Sequence, residues 1–417
     1  MLVKISLENF KSFDKPTELT MISSSKIQGN KEHKIKIKST QLLKYGVVYG
    51  ANASGKSNMV DFFRLFKDTV RHGLPLEAVE WFCKNREENK KRESSFEMQF
   101  TIGTKFYAYG FSAMLGERRI TGEWLYELYQ DGSAKRLFER EEKKRPLLDE
   151  TVTVSAAERK RFEVYADDFE GNGTQLFLTE MNRNKKYDQG SKLLFFRDIY
   201  QWLCNHVYII RPNTPLMDLE YYYDDKSLEL INQVIQTFDT GISAVSVDTI
   251  SLEELENSLP RPVFEQMMKH IRQKLEENEN SKIQVTMRSD TSFFNITAEN
   301  HEEPVVTTIR LHHQKSFYDF RFEDESDGTR RLFDLIDMLL NKREDVVYIV
   351  DELERSLHPK LTEHYLKEFM LFHEDKRKQL LFTTHEASIM DQSLFRRDEI
   401  WFVERDENNS SSIHNFR

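Results

Sequence analysis

At 417 residues the chain is long for a single core and predicts two or three units, or one domain with a large insertion. Hydrophobic residues at 39% and aromatics at 12% exclude a disordered chain, and a net charge of −10 excludes a general attraction to nucleic acid, so any DNA or RNA contact needs a local basic patch. Cys83 and Cys204 stand far apart without metal-ligand spacing, no signal-peptide core opens the chain and no apolar run approaches a membrane span, so a cytoplasmic protein in a reducing compartment, without a membrane partner, is expected.

In chain order, Val3, Ile5 and Leu7 alternate and predict a half-buried edge strand that turns at Asn9-Phe10-Lys11-Ser12-Phe13. Thr17 to Gln41 is polar and lysine-rich, a solvated loop with room for one strand. Tyr45 to Tyr49 is a short apolar run that reads as a buried strand. It leads into Gly50-Ala51-Asn52-Ala53-Ser54-Gly55-Lys56-Ser57-Asn58, which matches G-x-x-x-x-G-K-[ST]. Met59, Val60, Phe62, Phe63 and Phe66 then recur at helical spacing. A strand, a glycine loop and a helix start make an anion hole, because backbone N–H groups converge there and the helix dipole adds positive potential. Lys56 is placed to reach the β- and γ-phosphates of a nucleotide, and the Ser57 hydroxyl to ligate Mg²⁺.

Lys84 to Glu93 mixes both charges and reads as a solvated face. The period then drops to two: Phe96, Met98, Phe100 and Ile102 alternate, Gly103-Thr104 turns, and strands follow around Phe106 to Phe111, Trp124 to Leu128 and Leu137-Phe138, an antiparallel meander. From Ser155 to Lys274 the pattern is mainly helical, with helices predicted at Phe195 to Val207, Leu228 to Phe238 and Pro260 to Lys274. Asp239-Thr240-Gly241 breaks the second of these, and Ile242 to Ile250 is strand-like. Further strands are expected at Ile283 to Met287, Phe293 to Ala298 and Phe317 to Phe322. Ser326 or Asp327 is positioned to cap a helix containing Arg331 to Leu340. The apolar run Val346 to Val350 ends in Asp351-Glu352, Pro359 opens a helix to about His373, Leu380 to Phe382 leads into Thr383-Thr384-His385, and Ile400 to Val403 is a last strand before the short polar tail Glu407 to Ser412.

Two carboxylates at the end of a buried strand suit a phosphate loop: Asp351 to hold the Mg²⁺ shell and Glu352 to polarise the attacking water. His385 follows another buried strand, at the end where open α/β sheets bind ligands. Lys56 and Asp351 are 295 residues apart, so the two sequence lobes of the site come together around a long insertion.

The segment Leu7 to Phe13, GANASGKSN (Gly50 to Asn58), VYIVDELERSLHP (Val347 to Pro359) and TTHEASIMD (Thr383 to Asp391) resemble the ABC-type heads of the SMC/RecF group. ESDGTRR (Glu325 to Arg331) and Asp239-Thr240-Gly241-Ile242 resemble the AbiLi/RloA-like bacterial abortive-infection ATPases, relatives of the overcoming-lysogenisation-defect nucleases. The resemblance implies an α/β fold: an ABC-type head with one lobe at 1–150, a mostly helical insertion at 151–299 and a second lobe at 300–417. It implies ATP and Mg²⁺ as cofactors, with Ser57 and Asp351 as metal residues, Glu352 as base and His385 as switch histidine. Ser326, Gly328 and Thr329 match a signature motif that completes the ATP site of a second subunit. The departure is Asp327, where such signatures carry glycine. Gln99 lies in the region of a Q-loop glutamine but has no supporting motif. Only 32 residues follow His385, too few for the Toprim nuclease domain of the relatives, so a separately encoded nuclease or toxin is expected as effector. The leading expectation is a sensor ATPase of anti-phage defence that forms a homodimer or a higher homo-oligomer. The alternatives are a RecF-type ATPase that clamps DNA and a nucleotide-locked scaffold with little turnover.

Overall fold

The computed structural model describes residues 1–212, 225–277, 283–288, 293–299 and 302–416. The chain forms two compact units: Met1–Ile210 with Arg343–Leu353 and His373–Arg417, and Arg211–Lys342 with Glu354–Phe372. Residues 151–210 belong to the first unit, because Phe162, Phe177 and Phe196 share a core with Phe66 and Phe138.

The first unit carries a six-stranded sheet in the order Val207–Ile210, Val346–Val350, Lys378–Thr384, Tyr45–Tyr49, Ile400–Arg405, Ser411–Asn415. The first five run parallel and only the last is antiparallel. Tyr45–Tyr49, Val346–Val350 and Lys378–Thr384 are buried along their whole length, which is why the first two and Leu380 to Phe382 of the third read as apolar runs. Two of the six were not expected. The helix predicted to Val207 stops at Asn205, and the next residues become a strand by pairing Val207 with Val347 and Ile210 with Val350. The polar tail contributes Ser411–Asn415, which pairs with Ile400–Arg405.

A second, antiparallel sheet runs Leu147–Leu148, Ala134–Glu141, Arg119–Leu128, Lys105–Met114, Ser94–Ile102, Leu2–Glu8, Thr17–Thr20. The meander is therefore present, but Leu2–Glu8 is an interior strand, not an edge: it pairs with Ser94–Ile102 on one side and Thr17–Thr20 on the other. Thr17 to Gln41 holds more than the single strand allowed for it. Besides Thr17–Thr20, the hairpin Lys34–Ile37 and Thr40–Leu43 packs Ile37 and Leu42 against Met1 and Val3. The phosphate-loop helix Lys56–His72 joins both sheets into one core, its Phe62 and Phe66 meeting Phe96 and Phe111 of the meander at ring-centroid distances of 6.2 and 5.4 Å, with Val48 and Ile349 of the parallel sheet in the same cluster. Each such buried phenylalanine contributes about 1.5–3 kcal/mol.

The second unit holds an antiparallel sheet in the order Ile242–Ile250, Val305–His313, Phe293–Ala298, Ile283–Arg288, with Phe320–Arg321 attached to Val305–His313. Val305–His313 escaped notice because Thr307-Thr308 interrupts its alternation. The strand expected over Phe317 to Phe322 shrinks to two residues. Helices Asp225–Thr237, Leu252–Ser258, Arg261–Glu277, Asp327–Leu340 and Pro359–Phe372 complete the unit. No described helix is long and apolar enough to cross a membrane.

Candidate nucleotide-binding site

Strand Tyr45–Tyr49 ends at the loop 50–55, and Lys56 begins the helix, with Gly55 as its N-terminal cap residue at φ 115° and Ala53 at φ 63°. Glycine is required at both ends of this loop. A Cβ at Gly50 would come within 2.6 Å of the Val403 carbonyl, and one at Gly55 would collide with Ser411 Oγ and lie 2.7 Å from Ser12 Oγ. The same two serines hold the loop. Ser411 Oγ donates to the Ser54 carbonyl (2.5 Å), Ser411 N–H to the Ser12 carbonyl (2.7 Å), and Asn58 Nδ2 to Ser12 Oγ (2.8 Å). Ser12 lies in the N-terminal segment singled out from the sequence. Ser411 lay in the polar tail and carried no signal.

Lys56 Nζ, mostly buried, donates to the carbonyls of Gly50 (2.6 Å) and Ala51 (2.9 Å), which parks the ammonium across the loop mouth. Ser57 Oγ donates to Asp351 Oδ1 at 3.2 Å, although 294 residues separate them. The link is made by register. Lys378–Thr384 lies between the other two strands, pairing Thr384 with Tyr49 and Phe382 with Val350, so all three carboxyl ends lie on one edge. From that middle strand Thr383 Oγ1 donates to Asp351 Oδ1 (2.6 Å) and accepts from the Glu352 N–H (2.8 Å). Glu352 sits at φ 50°, a left-handed kink that turns the chain directly after Asp351.

Residues 254–391 match a family model described as "AAA domain, putative AbiEii toxin, Type IV TA system". That match spans about a third of the chain. Among solved structures the chain is similar to an SMC head bound to the C-winged helix domain of ScpA (12% identity, 99% of this chain and 96% of that one covered, TM-score 0.43). It is also similar to the SMC head domain from Thermotoga maritima (13% identity, 99% and 98% covered, TM-score 0.40). No curated protein gives a significant match.

The loop site has the features a Mg-nucleotide needs. Its glycine cradle leaves no room for a Cβ, Ser54 Oγ is buried without a hydrogen-bond partner, and the adjacent Ser57 hydroxyl and Asp351 carboxylate are the hard oxygen donors that suit Mg²⁺. His385 is exposed directly after Lys378–Thr384. Beside it the Glu386 carboxyl is held below its ordinary range, first by hydrogen bonds from Ser388 and to a smaller extent by His385. Gln99 donates to Glu97 on its own strand (2.9 Å).

Ser326, Gly328 and Thr329 belong to the second unit. Ser326 is the N-cap of Asp327–Leu340: its Oγ accepts from the Thr329 N–H (3.1 Å) and lies 2.9 Å from Thr329 Oγ1. Gly328 is there for closeness, since a Cβ would sit 2.6 Å from the Ser356 carbonyl. Asp327 points outward and pairs with Arg330. Together with Asp239, Thr240, His358 and Lys360, these residues line one open groove.

Thr383 was legible only as part of a strand end, yet it ties Asp351 to Glu352. Thr383→Val keeps the shape and removes both hydrogen bonds, which should destabilise the fold by about 1–3 kcal/mol and raise the Mg²⁺ concentration needed for half-maximal turnover. Thermal melts and a Mg²⁺ titration of phosphate release check this. An unchanged melt together with an unchanged titration would show that the Thr383 hydroxyl does no orienting.

Proposed function

We propose that this protein hydrolyses Mg-ATP in an ABC-type head and closes head-to-tail with a second copy, as the sensor ATPase of a bacterial anti-phage system that acts through a separately encoded effector. The observation that carries the chemistry is the chain Ser57–Asp351–Thr383–Glu352 across three neighbouring parallel strands. In this reading the backbone N–H groups of the loop from Gly50 through Asn52, Ala53, Ser54 and Gly55 cradle the phosphates, with Lys56 paired to the β/γ oxygens and Asn58 at the helix start. Ser57 and Asp351 hold the Mg²⁺, which when bound offsets phosphate charge. Glu352 accepts the proton of the attacking water, and His385 contacts the γ-phosphate side. The description of the matched family, which names an AAA domain and a type IV TA system, supports the defence role, and a cytoplasmic setting goes with it.

Steady-state phosphate release from Mg-ATP by the purified chain is the direct test; absence of both turnover and Mg-ATP binding would end the proposal. Closure has a test of its own. ATP bound at an interface favours the dimer by mass action, and in this reading Ser326, Gly328 and Thr329, at a helix start, meet the partner's phosphate. In the slow-hydrolysis variant Glu352→Gln, light scattering should show a Mg-ATP-dependent dimer, and adding Ser326→Arg should abolish it. A dimer that survives Ser326→Arg would leave Ser326 as a helix cap and nothing more.

A further inference from the structure

The loop between Val305–His313 and Phe320–Arg321 carries two aromatic side chains in water, Phe317 at 99% and Tyr318 at 85% relative exposure. Large rings kept this exposed side by side mark an interaction site. The loop is anchored at its base. His313 packs on Phe320 at a ring distance of 4.6 Å and hydrogen-bonds Glu325 at 2.6 Å, the residue before Ser326. The aromatic tip and the Ser326 helix start are therefore parts of one tethered arm.

In the first unit, a groove of about 450 Å³ opens beside the phosphate loop, with Ser12 and Asn58 in its wall. Trp81 and Phe82 give it an aromatic lining, and Lys11, Lys84 and Arg405 stand around it, against a single acid, Glu80. The arm has the opposite balance: Asp319, Glu323, Asp324 and Glu325 against Lys315 and Arg321. We propose that the Phe317–Tyr318 tip of one copy seats in the Trp81–Phe82 groove of a second copy, next to that copy's phosphate loop. The inference rests on the head-to-tail reading and names the contact that holds it. Nucleic acid is the poorer occupant for the tip, because the acids of the arm outnumber Lys315 and Arg321 even with Arg321 paired to Glu323 and Asp324, and the excess repels phosphate. A partner groove with a cationic rim attracts them.

The experiment uses the full chain in the Glu352→Gln background with Mg-ATP. Phe317→Ser with Tyr318→Ser should raise the dimer dissociation constant about tenfold or more by sedimentation velocity, with monomer affinity for Mg-ATP unchanged. Mixing Tyr318→Cys chains with Lys84→Cys chains should give a bismaleimide-linked pair only when Mg-ATP is present. An equally tight dimer without the cross-link overturns the inference and leaves the head-to-tail reading standing, whereas a Glu352→Gln chain that never dimerises overturns both. Two other results also overturn it. If Trp81→Ala weakens Mg-ATP binding to the monomer while the tip variant still dimerises normally, the groove holds the nucleoside. If the tip variant dimerises normally but loses a fluorescent single-stranded oligonucleotide, the tip is a nucleic-acid contact.

Discussion

Lys56→Ala should weaken Mg-ATP binding by about 10- to 150-fold, the equivalent of the ~1.5–3 kcal/mol of a charge-assisted hydrogen bond. The ammonium is already placed at the loop mouth, where it bonds the Gly50 and Ala51 carbonyls, so binding exchanges those acceptors for phosphate oxygens without moving the backbone. Loop shape has supports besides this side chain. Gly50 and Gly55 set the conformation, and Ser411 and Ser12 hold the loop from outside. The variant should therefore melt within a few degrees of the parent while losing nucleotide, a combination that separates a ligand contact from a folding defect. Isothermal titration at fixed Mg²⁺ measures it, and an unchanged affinity would mean that the site lies elsewhere.

The second large effect is on chemistry. Glu352→Gln keeps size and hydrogen-bonding capacity but cannot take a proton, so single-turnover hydrolysis should slow by about 10²-fold or more with Mg-ATP binding retained. The backbone of Glu352 is held by its N–H to Thr383 Oγ1 and by the left-handed turn, neither of which involves the carboxyl group. A wild-type single-turnover rate would remove Glu352 from the mechanism and leave His385 or a partner residue as the next candidate.

What the sequence by itself determined is local. The glycine loop, the helical spacing of Met59 to Phe66, the buried runs Tyr45–Tyr49 and Val346–Val350 and a helix start at Ser326 or Asp327 are each written within a few residues. Backbone φ preference, the 3.6 and 2.0 periods and side-chain capping act over that range. Tertiary structure alone decided the neighbours. Alternation at Val3, Ile5 and Leu7 tells which face of Leu2–Glu8 is buried, but not that a short polar strand, Thr17–Thr20, covers its other edge. Val207–Ile210 is too short for a signal of its own and is a strand because Val346–Val350 pairs with it. Ser411–Asn415 looks like a solvated tail until Ile400–Arg405 takes up its hydrogen bonds and Ser411 reaches the phosphate loop. Phe317 and Tyr318 read as part of a strand and are instead in a loop in water. The meeting of Ser57 with Asp351 depends on Lys378–Thr384 lying between two strands distant in sequence, and that order follows from pairing and burial summed over the whole sheet, which no local stretch encodes.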